Sequence, residues 1–190
     1  PYDWVSAIYM SESFFNDDRF KEEKKRFLDK TEIVSDSVFK SMSDTQTPQG
    51  VLAIVRMPHY EIDDLFKGDK TELLVLESIQ DPGNLGTIIR TAVAAGAKGI
   101  FLLKGTVDPY NEKCVRSTMS ALCNIPIFED ITLSEFYEFI KDNSIKTYVT
   151  SLDNAKPYHT ISYAKRTMVI LGNEGNGVSK EIIEMCDQAI

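Results

Sequence analysis

The sequence predicts an α/β protein. Its larger part, residues 71–190, reads as a parallel sheet covered on both faces, and a smaller α/β piece precedes it. Three observations predict this. Beyond residue 70, short β-favouring apolar runs alternate with segments of helical period, the order that gives parallel strands joined by crossover helices. Residues 58–70 carry four acids, a Pro and a Gly, the composition of an exposed connection, and divide the chain. The longest apolar runs, such as Leu73-Leu74-Val75-Leu76, are strand-sized and far short of the roughly 20 residues a membrane span needs.

In chain order, residues 5–10 are apolar and β-favouring and predict a strand. Residues 17–30 are highly charged, with Phe20, Phe27 and Leu28 spaced for one face of a helix whose charges form a solvated surface. Ser35-Asp36-Ser37 offers a helix N-cap ahead of Val38, Phe39 and Met42, Thr47-Pro48-Gln49-Gly50 is a turn, and residues 51–57 form a strand. The first domain is therefore 1–57, the linker 58–70 and the second domain 71–190. In the second domain, strands are predicted at 72–77, 99–103, 125–128, 146–150 and 167–171, and helices at 84–96, 111–122, 133–141 and 179–186. Ile190 reads as the start of a further strand, and both ends of the chain read as cut.

Composition narrows the function classes. Net charge is −8, and neither residues 1–70 (10 basic, 14 acidic) nor residues 71–190 (11 basic, 15 acidic) are basic. Bulk attraction to nucleic acid needs Lys and Arg, so any RNA contact must be local. Cys114, Cys123 and Cys186 form no C-x-x-C pair, and with only His59 and His159 beside them no metal site is expected. They read as small packing residues in a thiol-reducing cytoplasm. No membrane attachment is expected.

Three segments carry chemistry. In Asp81-Pro82-Gly83-Asn84-Leu85-Gly86-Thr87-Ile88-Ile89-Arg90, the residues Leu85, Ile88, Ile89, Ala92 and Val93 make one buried helical stripe, and Arg90 lies on the open side near Thr87 and Thr91. Pro82, Gly83 and Gly86 let backbone approach a ligand, and Asn84 can cap the helix. Spacing alone leaves Asn84 as a cap or a site residue, and Arg90 as a surface cation or a site residue. The order N-x-G-x-x-x-R is neither of the Gly-rich phosphate fingerprints. In the second segment, residues 113–122, Cys114, Val115, Thr118, Ala121 and Leu122 are spaced as one helix face, and spacing alone leaves Arg116 as a surface cation or a site residue; Ile125-Pro126-Ile127 follows. In the third, residues 171–179, a strand enters a loop with three glycines and then a helix capped by Ser179, and loop amides there can receive a ligand edge.

Together and in this order the segments resemble the motifs of SpoU-family RNA ribose 2′-O-methyltransferases, members of the SPOUT superfamily. The resemblance implies a parallel-sheet methyltransferase domain closed by a C-terminal trefoil knot, acting as a homodimer. It implies transfer of a methyl group from S-adenosylmethionine to a ribose 2′-hydroxyl, with Asn84, Arg90 and Glu174 at the catalytic centre. Cofactor contacts fall on Gly172 and Gly175, on Thr150, Ser151 and Leu152 at the end of the preceding strand, and on Ile190. RNA contacts fall on Arg90, Arg116 and Thr118. Ser120 departs from the family, which has Gly there. Residues 43–51 are similar to the end of the small ribosomal-protein-like RNA-binding domain that often precedes the SpoU domain, which points to ribosomal RNA. The alternatives are a transfer-RNA methyltransferase or a non-catalytic RNA-binding relative of the same fold.

Overall fold

The computed structural model describes residues 4–190 and divides the chain into two compact units, 1–59 and 60–190. In the first unit, strand β1 (Val5–Ser11) is central. Where it ends, Ser11 turns the chain into a four-residue helix, α1 (Glu12–Phe15), its hydroxyl accepting from the Phe14 amide. After α2 (Lys21–Lys25), strand β2 (Thr31–Val34) pairs parallel to β1. Then come α3 (Asp36–Met42), capped by Ser35 as the sequence predicts, and β3 (Val51–Val55), antiparallel to β1. Val5, Ile8 and Met10 form the buried centre, with Phe14, Phe15 and Phe27 against it.

Two expectations fail in this unit. Residues 17–30 are not one helix: α2 is flanked by 3₁₀ turns at Asp18–Phe20 and Leu28–Lys30. Lys24, nearly buried, folds back to donate to the carbonyls of Phe14, Phe15 and Asp17, so tertiary satisfaction of those groups sets the local path. β2 was not foreseen, because Thr-Glu-Ile-Val is short and flanked by charge.

The second unit is a six-stranded, all-parallel sheet in the order β6-β5-β4-β8-β7-β9: β4 (Thr71–Leu76), β5 (Gly99–Leu103), β6 (Ile127–Ile131), β7 (Lys146–Val149), β8 (Arg166–Leu171) and β9 (Gln188–Ala189). The period of two along β4 and β5 sorts side chains between two cores. Leu76, Ile100 and Leu102 meet Leu85 and Ile89 of α4 (Pro82–Ala95), with Cys114 of α5 (Glu112–Ser117). Leu73, Val75, Phe101, Met168 and Ile170 meet Phe136 of α6 (Leu133–Asn143) and Ile182 of α7 (Lys180–Met185). Both faces are thus covered, as predicted. Of the expected packing cysteines, Cys114 is buried and Cys186 half-buried, and burial lifts each thiol to about 11; Cys123 is exposed.

Residues 58–70 are not exposed throughout. A 3₁₀ turn at Ile62–Phe66 buries Leu65 against the second core. The helix expected over 111–122 is also shorter. It stops at Ser117, because Met119 and Ser120 take left-handed φ values of 51° and 72° before a 3₁₀ turn at Ala121–Asn124. Two successive left-handed residues cannot continue a right-handed helix, and the turn they make puts Ala121 and Leu122 into the α4-side core.

Candidate functional site

The site is built at the C-terminal ends of the parallel strands, where open α/β sheets bind ligands. β4 runs into the turn at residues 77–81 and then α4. Asp81, not Asn84, is the N-cap: its Oδ1 accepts from the Asn84 amide at 2.9 Å, with Pro82 in the first turn. Asp81 Oδ2 accepts from Lys113 Nζ at 2.7 Å, and this ion pair, followed by the Asn84 amide, holds the Asp81 carboxyl below the usual range.

Freed from capping, Asn84 donates through Nδ2 to Glu174 Oε1 at 3.1 Å, across 90 residues of sequence. Glu174 also accepts from the amides of Asp81 (3.2 Å, Oε1) and Gln80 (3.3 Å, Oε2). Its own amide first, then Asn84 and the two turn amides, depress its pKa. A carboxylate so occupied suits anchoring rather than proton abstraction, which needs a pKa near the working pH. Glu174 therefore clamps the turn ahead of α4 and sets the orientation of Asn84.

Asn84, Thr87 and Arg90, three residues apart, run along the solvent side of α4 and are all exposed. The Thr87 hydroxyl donates to the Gly83 carbonyl, and Arg90 has no hydrogen-bond or ion-pair partner among the described residues. Gly86 has a different role from the one expected. It lies inside α4, and a Cβ there would sit 2.4 Å from Ser117 Cβ and 2.8 Å from the Cys114 carbonyl. Its missing side chain lets α5 pack close; it does not admit a ligand.

The loop after β8 is held equally tightly. A Cβ on Gly172 would fall 2.2 Å from the backbone of Gly177, with which Asn173 forms a two-bond bridge. Asn173 Oδ1 accepts from the amides of Gly175 and Asn176, and its Nδ2 donates to the Ser78 carbonyl at 2.8 Å. The amides of residues 175–177 are thus engaged within the loop. Ser179 makes no side-chain cap to α7; its amide donates to Glu77 Oε2 at 2.7 Å instead.

On neighbouring strands, Thr150 donates through its amide and hydroxyl to the Ile170 carbonyl, Ser151 N donates to Ile190 O, and Ile190 N to Val149 O. The structure so brings Gly172, Thr150, Ser151, Leu152 and Ile190 to the same edge of β8, β7 and β9. Leu152 is fully exposed. Arg116 is paired with Glu112 one turn back on exposed α5. Thr118 is wholly buried and its hydroxyl donates to the Val115 carbonyl. Sequence reasoning missed Asp81, Lys113, Glu77 and Asn173. Of these only Asp81 carried a local signal, an Asp directly before a helix-starting Pro.

Among the described residues, no group of three or more His, Cys, Asp or Glu could hold a metal ion, and no helix is long and apolar enough to cross a membrane. Residues 72–190 match the SpoU rRNA Methylase family model, and residues 2–61 match the model for RNA 2′-O ribose methyltransferase substrate binding. The chain is 36% identical over 155 residues to the 23S rRNA (guanosine(2553)-2′-O)-methyltransferase RlmP of Bacillus subtilis, covering 82% of this chain and 60% of that protein. It is 33% identical over 156 residues to an uncharacterized tRNA/rRNA methyltransferase of Synechocystis, covering 80% of this chain and 55% of that protein. Matched segments thus span less than two thirds of these relatives. An AdoMet-bound rRNA methyltransferase from Sinorhizobium meliloti superposes with TM-score 0.84 at 26% identity, over 98% of this chain and 70% of that one. AviRb of Streptomyces viridochromogenes shares the fold, with TM-score 0.85 at 22% identity over 99% and 74%. The chain belongs to the SpoU rRNA methylase family.

Proposed function

We propose that the protein of which this chain is part methylates ribose 2′-hydroxyls of ribosomal RNA. The observation that carries this reading is the Asn84–Glu174 hydrogen bond, which joins two distant family motifs into one site beneath an unpaired Arg90. The cofactor would lie at the edge formed by Gly172, Thr150, Ser151, Leu152 and Ile190. The chemistry there fits it: carbonyl oxygens at the strand ends can accept from an adenine amino group or a ribose hydroxyl, and the bare Leu152 side chain supplies apolar cover.

The chain's own residues position the nucleophile. With Nδ2 of Asn84 donating to Glu174, Oδ1 is the acceptor that Asn84 can offer to the bound nucleoside, which it helps to orient. Arg90 clamps an RNA phosphate through its guanidinium. A phosphate oxygen so held would take the hydroxyl proton and pass it to solvent, while S-adenosylmethionine, when bound, would supply the methyl group by cleavage of its sulfonium–methyl bond and leave as the thioether. The reading includes a homodimer, from the family resemblance, and a reducing cytoplasm, which the three free cysteines support.

The test is methyl transfer from labelled S-adenosylmethionine to ribosomal RNA by the full-length protein, with mapping of the 2′-O-methylated positions. Arg90→Ala should lose at least about 100-fold in kcat/KM. A wild-type protein that transfers nothing overturns the activity; an Arg90→Ala rate equal to wild type overturns the role of Arg90.

A further inference from the structure

The first unit contains an open groove of about 810 Å³, within the range of small-molecule sites, whose lining includes Phe14, Asp17, Arg19, Phe20, Asp36 and Lys40. It shares no residue with the three chemistry-bearing segments of the second unit and lies wholly within residues 11–51. Its wall is flat. The Phe14 and Phe20 rings stack at 5.1 Å and 20°, and Phe20 remains 38% exposed. The Arg19 guanidinium sits 5.6 Å from the Phe20 centroid, fixed in place by Asp17, which accepts from Nε and Nη2. This wall is therefore preorganised, with planar groups held before any ligand arrives.

The polar equipment is as specific. The lining acids Asp17 and Asp36 balance the lining cations Arg19 and Lys40, and Arg19 is already paired. Such a groove is a poor phosphate cradle, since phosphate neutralisation requires excess positive charge. Asp36 Oδ1 accepts from the amide (3.2 Å) and hydroxyl (2.7 Å) of Ser13, while Oδ2 accepts from no described residue. The Ser13 hydroxyl, then its amide, keep the Asp36 carboxyl below the usual range, so it is a fixed anionic acceptor at neutral pH. A flat aromatic wall beside one free, ionised acceptor is what a nucleobase with an exocyclic amino group needs: stacking for the ring and an oxygen for the amino N–H.

We propose that this groove receives one unstacked, amino-bearing base of the RNA, laid against the Phe20–Arg19 wall with its amino group donating to Asp36 Oδ2. The proposal rests on the RNA-modifying reading above and deepens it by naming a base-reading site within the first unit. Uracil is the base it rejects, because O4 would place an acceptor against the carboxylate.

The experiment measures binding of the full-length protein to single-stranded 12-mers of cytidine and of uridine, which differ in this edge. Wild type should bind the cytidine oligomer about 5-fold or more tightly, the lower end of discrimination by a good base contact. Asp36→Asn keeps the Oδ1 acceptor for Ser13 and replaces the free acceptor by a donor, so the preference should vanish or reverse. Phe20→Leu keeps apolar volume but loses the ring face, and should weaken cytidine binding roughly 5-fold or more. Equal affinity of wild type for the two oligomers, or a preference untouched by Asp36→Asn, overturns the proposal. Methyl transfer to ribosomal RNA, assayed on the same wild-type preparation, separates the two readings. Intact transfer with a base-indifferent groove rejects the groove alone, and absent transfer rejects the activity.

Discussion

The two flanks of α4 are held by different physics. On one side, the turn at residues 77–81 and the loop at 172–179 are joined by polar bonds: Glu174 to Gln80, Asp81 and Asn84, Asn173 to Ser78, Glu77 to Ser179. On the other, α5 and the 3₁₀ turn at Ala121–Asn124 are held by shape: Gly86 against Ser117 and Cys114, a buried Thr118, and two left-handed residues at 119 and 120. The polar flank fixes the direction of Asn84, whereas the steric flank fixes how close α5 comes. A defect in the first should disturb chemistry in a pH-dependent way; a defect in the second should cost stability with little pH dependence.

Gly172→Ala should break the polar flank most severely. Its Cβ would overlap backbone atoms of Gly177 and Val178, which cannot rotate away, so the loop carrying Glu174 must open. Denaturant unfolding should show a loss of about 3 kcal/mol, the upper end of overpacking costs, and methyl transfer should fall with it. Gly86→Ala is the steric counterpart. One clash is with the Ser117 side chain and one with the Cys114 carbonyl, so α5 can shift slightly, and a loss of about 1–2 kcal/mol is expected from the same measurement. Equal effects from the two substitutions would erase the distinction between a loop that must open and a helix that can shift.

Glu174→Gln tests the electrostatic part. The amide keeps one acceptor oxygen and points a donor at N–H groups, so about 1 kcal/mol should be lost at neutral pH. The sign with pH follows from the depressed pKa of Glu174. Its stabilisation is present above the unfolded carboxyl value, near 4.3, and is lost as pH falls through the lower folded value. Wild type should therefore lose stability below about pH 4 more steeply than Glu174→Gln. Parallel stability–pH curves for the two proteins would show that the clamp is not carried by charge.

What could be read from the sequence divides along the same line. The buried stripe of α4, the strand alternation and the α3 cap are local patterns, and each appears within about three residues of where spacing puts it, the largest shift being the strand expected over 125–128, which runs Ile127–Ile131. The clamp is not local: Glu174 meets residues more than 90 positions away and Ser179 meets Glu77 across 102, so no spacing rule reaches them. That is also why Asn84 reads as a cap when the nearer Asp81 takes that role. The charged stretch at 17–30 fails for a related reason, since the carbonyls that bend it around Lys24 belong to α1 and the turn after it. Thr118 looks like a family hydroxyl in sequence, but only packing shows that its hydroxyl is spent within α5.

Ser120 is where the steric flank can be sharpened by the smallest change. The resemblance implies Gly at this position, and the backbone is consistent with that: φ is 72°, a left-handed conformation that costs a side-chain-bearing residue roughly 1–2 kcal/mol. The preceding Met119, at φ 51° and 71% exposed, gains nothing from burial to offset its own strain. Ser120→Gly removes the Cβ penalty but widens the conformations open to the unfolded chain, which returns part of the gain. The balance should be a stabilisation of about 0.5–1 kcal/mol, read as a higher denaturation midpoint at unchanged slope. Because this strain is steric and no carboxylate among the described residues hydrogen-bonds Met119 or Ser120, the increment should be the same at pH 7 and at pH 4. A gain that changes across that range would tie Ser120 to the polar network instead, and would join the two flanks of α4 into a single unit.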